Sequence, residues 1–187
     1  MIKIIGIAGS LRKGSLNKAA LRAAKTMVPE NATLDIFEAL GDIPPFNQDL
    51  ETNPPEVVKQ LKKAVKEADA VLFVTPEYNY SVPGVLKNAI DWASRPYGDN
   101  AWEGKPVAIM GASPGMLGTA RSQYHLRQIL VFSNMLPVNR PEVMISAAQE
   151  KFDEQGNLID QHTGEKIKEL LEALVAWTAR LTATKKD

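Results

Sequence analysis

The stretch Val71–Arg95, VLFVTPEYNYSVPGVLKNAIDWASR, decides how the chain is read. Its first four residues, Val71 to Val74, are apolar without a break and rich in β-branched side chains. A strand covered on both faces reads this way, whereas a strand with one wet face alternates. Pro76 ends the run because it has no N–H to give to a ladder. Glu77-Tyr78-Asn79-Tyr80-Ser81 then makes a polar, aromatic loop. Val82, Leu86, Ala89, Ile90 and Ala93 recur at helical spacing, with Pro83 expected in the first turn, where a missing N–H costs nothing. A buried strand thus hands a loop with two tyrosines, an amide and a carboxylate directly to a helix. In open α/β sheets, ligands bind in the crevice at the carboxyl ends of the strands, where such a loop sits.

The same grammar repeats on both sides of this stretch. Ile2 to Ala8 (IKIIGIA) reads as a buried strand and runs into Gly9-Ser10-Leu11-Arg12-Lys13-Gly14-Ser15-Leu16-Asn17. Leu16, Ala19, Ala20, Ala23, Ala24 and Met27 then mark a helix that ends near Pro29. Thr33 to Phe37 is a third strand. Glu38 to Pro55 is a long connection, of the kind that function or mobility accounts for. Val57, Leu61, Ala64, Val65 and Ala68 form a helical stripe that leads back to Val71. Val107 to Met110 is a further short strand, ending in Gly111-Ala112-Ser113-Pro114-Gly115. Leu126, Ile129 and Leu130 lie on the next helix, and Val143 to Ile145 is a weaker strand. Glu154-Gln155-Gly156-Asn157 is a turn, with a small hairpin around it. Ile167, Leu170, Leu171, Leu174, Trp177 and Leu181 give a long amphipathic last helix. About five strand–helix repeats predict one domain over residues 1–187. Its fold class is α/β, a flavodoxin-like, doubly wound, five-stranded parallel sheet with helices on both faces. The Rossmann order ranks second because its two halves need more chain.

Composition removes several classes of function. The 22 basic and 22 acidic residues cancel, which argues against nucleic-acid and polybasic membrane partners. There is no Cys, so disulfides, thiolate zinc sites, cysteine-ligated clusters and a cysteine nucleophile are excluded. No apolar run approaches the roughly 20 residues that span a bilayer. Lys3 is the only basic residue near the start, and no cleavage pattern follows it. The expectation is an unprocessed, soluble, cytoplasmic protein. His125 and His162 are far apart and carry no ligand pattern around them, so no metal site is expected.

Three loops can carry chemistry. In GSLRKGSLN, a strand runs into a helix N-terminus, which is anion-binding geometry. Ser10, Ser15 and Asn17 add neutral donors, and Arg12 adds a charged fork. The triphosphate motif G-x-x-x-x-G-K-[ST] fails, because Ser15 stands where Lys is required. The dinucleotide motif G-x-G-x-x-G fails, because Ile4 stands where its first Gly belongs. The loop therefore suits one monophosphate; the plainer alternative is a helix capped by Ser15. PEYNY offers π faces and hydrogen-bonding groups to a planar heteroaromatic ring. Its alternative is a turn whose tyrosines serve a subunit contact. Glu77 is a candidate base, though a single carboxylate is thin support for one. GASPG matches the nucleophile elbow G-x-S-x-G around Ser113, but the N–H needed after the nucleophile is missing at Pro114.

These loops resemble a known family. GSLRKGSLN from Gly9, TPEYNYSVPGVLKNAIDWASRP from Thr75 and GTARSQYHLRQ from Gly118 are similar to the NADPH-dependent FMN reductases, in their bacterial quinone and chromate reductase branch. The resemblance runs from the first strand to about Glu142. It implies bound FMN, with the phosphate on Ser10, Leu11, Arg12, Gly14, Ser15, Leu16 and Asn17. It places the isoalloxazine against Pro76, Glu77, Tyr78, Asn79 and Tyr80, with Ser113 at the other edge. It sets Tyr80, Arg121, Tyr124 and Glu142 at a subunit interface of a homodimer or homotetramer, and Arg95 near the mouth on the substrate side. It implies NADPH or NADH as co-substrate and a small-molecule electron acceptor: quinones first, with azo compounds, free flavin and chromate behind them. The flavin carries the chemistry, so no acid–base residue is expected to be essential. Pro114 departs from the expected loop by removing one N–H donor. Two other functions share the fold. A flavodoxin-type electron carrier would show a more acidic surface, and a signalling receiver would need an Asp after the central strand, where Thr75-Pro76-Glu77 stands.

Overall fold

The computed structural model describes residues 1–183. At its centre is a parallel sheet in the order β2-β1-β3-β4-β5. β1 is Ile2–Ala8, β2 Ala32–Ile36, β3 Ala70–Val74, β4 Pro106–Ala112 and β5 Leu136–Pro137, with β6 (Val143–Ile145) also on β4. The helices are α1 (Leu16–Thr26), α2 (Glu56–Glu67), α3 (Gly84–Ala93), α4 (Ala120–Phe132) and α5 (Gln161–Ala183). This is the flavodoxin-like order, and the chain changes direction across the sheet between β1 and β3.

The five-stranded expectation holds with one amendment, that the fifth position is filled by two short pieces. β5 pairs with Pro106 and Val107, and β6 with Met110 to Ala112, so both follow the free edge of β4 in succession. Only the second piece is legible in the sequence. The first is two residues long and contains Pro137, which edge positions tolerate.

Each central strand alternates between two dry layers. Along β3, Ala70, Leu72 and Val74 pack with α1 and α5, while Val71 and Phe73 pack with α2, α3 and α4. Burial on both faces is why β3 reads as one apolar run. Each such buried aliphatic or aromatic side chain contributes about 1.5–3 kcal/mol.

Because the strands are parallel, the loops after β1, β3 and β4 leave the sheet side by side. Close approach there requires Gly111, where a Cβ would lie 2.0 Å from Thr119 Oγ1 and 2.2 Å from the Thr75 carbonyl oxygen. α3 starts at this end of the sheet and returns to the other, where β4 begins. Pro83 is not in its first turn. It sits just before α3 with φ −57° and ψ 139°, and its carbonyl accepts from Leu86 N and Lys87 N, each at 3.0 Å. The expected hairpin near residue 155 is present as one antiparallel bridge, Phe152 to Leu158.

Candidate active site

The first loop is built by helix capping. Ser15 has extended backbone, and its Oγ accepts from Asn17 N and Lys18 N, both at 3.2 Å. The cap fixes the N-terminus of α1 beneath the loop, so the anion and capping readings share one geometry. Asn17 is buried and its amide faces Ala112: Nδ2 donates to the Ala112 carbonyl and Oδ1 accepts from Ala112 N, each at 2.8 Å. This pairing ties the first loop to the third, and Asn17 lines the cleft between them. The Leu11 side chain packs toward Gly41. Gly14 is exposed and has nothing near its α-carbon. Arg12 is exposed and has no ion-pair partner among the described residues.

The second loop is a tight turn. Tyr78 and Ser81 exchange backbone hydrogen bonds at 3.1 and 3.0 Å. Asn79 (φ 51°) and Tyr80 (φ 64°) between them are both left-handed, as in a type I′ turn. Asn79 and Tyr80, at the tip of the turn, are exposed and stand outside the lining of the cleft in the single chain. Tyr78 stays on the cleft wall, its hydroxyl 3.4 Å from Ser10 Oγ. Glu77 serves as an anchor, not as the free base considered from sequence. Its carboxylate accepts from Arg121 N at 3.0 Å and Ser122 N at 3.2 Å, at the N-terminus of α4, and pairs with the Arg121 guanidinium. The Pro76 carbonyl accepts from Ser122 Oγ at 3.0 Å. Ser122 and Thr75 are fully buried hydroxyls behind this loop, and no local sequence pattern marks them. Only the docking of α4 reveals them.

The third loop completes the site. Ser113 N donates to the Ile145 carbonyl, and Ser113 Oγ accepts from Gly115 N at 3.1 Å. Residues from all three loops converge on one open cleft of about 300 Å³: Ser10, Arg12, Ser15, Leu16, Asn17, Pro76, Glu77, Tyr78, Ala112, Ser113 and Pro114. The first loop offers a cation and a helix N-terminus to it, and the second offers Tyr78 and Pro76. A ligand with a phosphate at one end and a flat ring at the other fits this division.

Arg95 does not line this cleft. It lies just past the last turn of α3, and its side chain reaches the connection that precedes α2. Its Nε donates to Glu51 at 2.8 Å, its Nη2 lies 2.7 Å from the same carboxylate, and its Cζ is 3.9 Å from the centre of the Tyr97 ring. The Glu51 hydrogen bond holds the guanidinium even more firmly protonated than usual. In the single chain, Arg95 is thus engaged by Glu51, outside the lining of the cleft. The four expected interface residues lie together near the second loop. Arg121 Cζ sits 3.7 Å from the Tyr80 ring centre. Tyr124 hydrogen-bonds Glu142, which raises the phenol above its ordinary value. All four are exposed, Tyr80 at 71 % and Tyr124 at 56 %. Among the described residues there is no cluster of three metal-ligating side chains, and no helix is long and apolar enough to cross a membrane.

The fold and the cleft define an α/β protein that holds a phosphate-bearing planar group where the sheet changes direction. Residues 2–150 match the NADPH-dependent FMN reductase family, and the chain belongs to that family. It is 52 % identical to an NAD(P)H-dependent FMN reductase of Pseudomonas aeruginosa, over 96 % of this chain and 97 % of that one. It is 45 % identical to an NADPH:quinone oxidoreductase of Arabidopsis thaliana, over 97 % of this chain and 94 % of the plant enzyme. Among solved structures it is similar to FerB, a flavoenzyme NAD(P)H:(acceptor) oxidoreductase from Paracoccus denitrificans. The TM-score is 0.88 and the identity 37 %, over 96 % of this chain and 98 % of FerB. The protein is thus an NAD(P)H-dependent oxidoreductase with FMN as cofactor.

Proposed function

We propose that this enzyme reduces quinones by two electrons, by way of FMN held in the three-loop cleft. The observation that carries this reading is the convergence of an unpaired cation, a helix N-terminus and an aromatic wall on one cleft. Arg12, Ser10 and Ser15, with the backbone of Leu11, Gly14, Leu16 and Asn17, would hold the phosphate. Pro76, Tyr78 and Ser113 would flank the ring, and Glu77 would fix the loop that carries Pro76 and Tyr78. When bound, FMN takes hydride from NAD(P)H and passes two electrons to the acceptor. Pro76, Tyr78 and Ser113 would position the ring in a cleft that opens to solvent. NAD(P)H and acceptor would be admitted there in turn, and no side chain is required as acid or base. Quinone is favoured because close relatives carry that name; azo compounds, free flavin and chromate are secondary acceptors. Initial rates over a grid of NADPH and benzoquinone concentrations test the scheme. Parallel double-reciprocal lines are expected. Intersecting lines would contradict admission in turn.

We also propose that the enzyme assembles as a dimer or tetramer and works in the cytoplasm, where NAD(P)H is supplied. Tyr124, Gln128 and Val131 fall at three- to four-residue steps on the solvent side of α4. At the C-terminal end of α4, Val131 is 77 % exposed and Phe132 72 %, and Met116, before its N-terminus, is 93 % exposed. So much exposed apolar surface along α4, whose first turn carries Arg121, supports a contact with a second copy.

A further inference from the structure

We propose that Glu77 and Arg121 form a charge clamp that sets the reduction potential of the flavin, with Glu77 a positioning residue and not a base. The inference rests on the FMN reading above. Glu77 lines the cleft, yet its side chain is only 6 % exposed. Water screens such a charge weakly, so it acts on a neighbouring ring over several ångströms. Two things offset it. The Arg121 guanidinium pairs with one carboxylate oxygen, and the first N–H groups of α4 donate to the other. Arg121 is held from its far side by the Tyr80 ring, which the left-handed turn places above it. Ser81 adds a second tie, with its hydroxyl 2.8 Å from His125 Nδ1.

Adding electrons to the ring adds negative charge beside the clamp. A carboxylate alone would oppose that step, and a guanidinium alone would favour it. The clamp holds them in near balance, so removing either partner should shift the potential, in opposite directions. Loss of loop order would act differently, because it moves both variants the same way, toward free FMN. The sign therefore separates charge from structure.

The experiment is reduction of purified holoenzyme and variants by xanthine and xanthine oxidase against a mediator dye. FMN affinity is measured in parallel by fluorescence quenching, and assembly by light scattering. For Glu77→Gln, whose amide oxygen still accepts from α4, the equilibrium should move about tenfold toward reduced flavin, or about 30 mV for a two-electron couple. For Arg121→Ala it should move about tenfold the other way, and Arg121→Lys should recover most of the shift. Shifts of the same sign in both variants, or none in either, would overturn the clamp while leaving the FMN reading intact. A parent protein that binds no FMN would overturn both.

Discussion

At the scale of single residues, the site depends on how few side chains are left without partners. Ser15 caps α1 and Asn17 is bonded to Ala112, so Arg12 is the one charged group of the first loop presented to the cleft. A hydrogen bond to a charged group contributes about 1.5–3 kcal/mol. Arg12→Ala should therefore weaken FMN binding by roughly one to two orders of magnitude. Fluorescence quenching measures this, and an unchanged Kd would mean that Arg12 points elsewhere. Asn17→Ala should behave differently. It leaves a buried N–H and a buried carbonyl of Ala112 unpaired, a loss of about 2–4 kcal/mol of folding stability. Urea unfolding would show it as a lower midpoint, and a loss under about 0.5 kcal/mol would sink the assignment. The two residues look alike in the sequence, as polar members of one loop. They part only when β4 is brought alongside, which no local pattern encodes.

At the scale of elements, β1, β3 and β4 are legible because burial on both faces leaves continuous apolar runs. α1, α2 and α5 are legible because each covers one face of the sheet with a periodic stripe. What sequence hides is docking between elements distant in the chain. Glu77 reads as a lone carboxylate until α4 places its N-terminus against it. Arg95 reads as a neighbour of the aromatic loop until the fold pairs it with Glu51, in the connection before α2. Gly111 shows the same dependence. Its α-carbon faces Thr119 Oγ1 and the Thr75 carbonyl, so β3, β4 and the start of α4 meet there with no room for a methyl group. Gly111→Ala should cost about 1–3 kcal/mol through overpacking against backbone. A thermal unfolding midpoint equal to the parent's would contradict that.

At the scale of the whole molecule, the charges balance overall but are paired locally. Asp99 joins α2 to the connection before β4 by accepting from Lys62, at 2.6 Å, and from Lys66. The Lys62 hydrogen bond, then that from Lys66, holds the Asp99 carboxyl below the usual carboxylate range. A folded state that binds the proton less tightly than the unfolded chain gains stability above the unfolded pKa. It loses that gain as pH falls through the folded value. The protein should thus lose stability on acidification below the ordinary Asp range, and Asp99→Asn should flatten part of that slope. Equal slopes for parent and variant in urea titrations from neutral to acidic pH would dismiss the pair as a contributor. Assembly belongs to this scale too. Phe132→Asp should shift the parent's light-scattering mass toward that of one chain, and a parent already of one-chain mass would contradict the proposed interface.

The central claim is that the cleft holds FMN and passes electrons from NAD(P)H to a quinone. The most direct measurement is the visible spectrum of the purified protein without oxygen, before and after NADPH and then after benzoquinone. The account predicts a yellow protein that NADPH bleaches within seconds and benzoquinone restores. A yellow protein that neither NADPH nor NADH bleaches would be an electron carrier and would contradict the enzyme, and a colourless protein that takes up no added FMN would contradict the site itself.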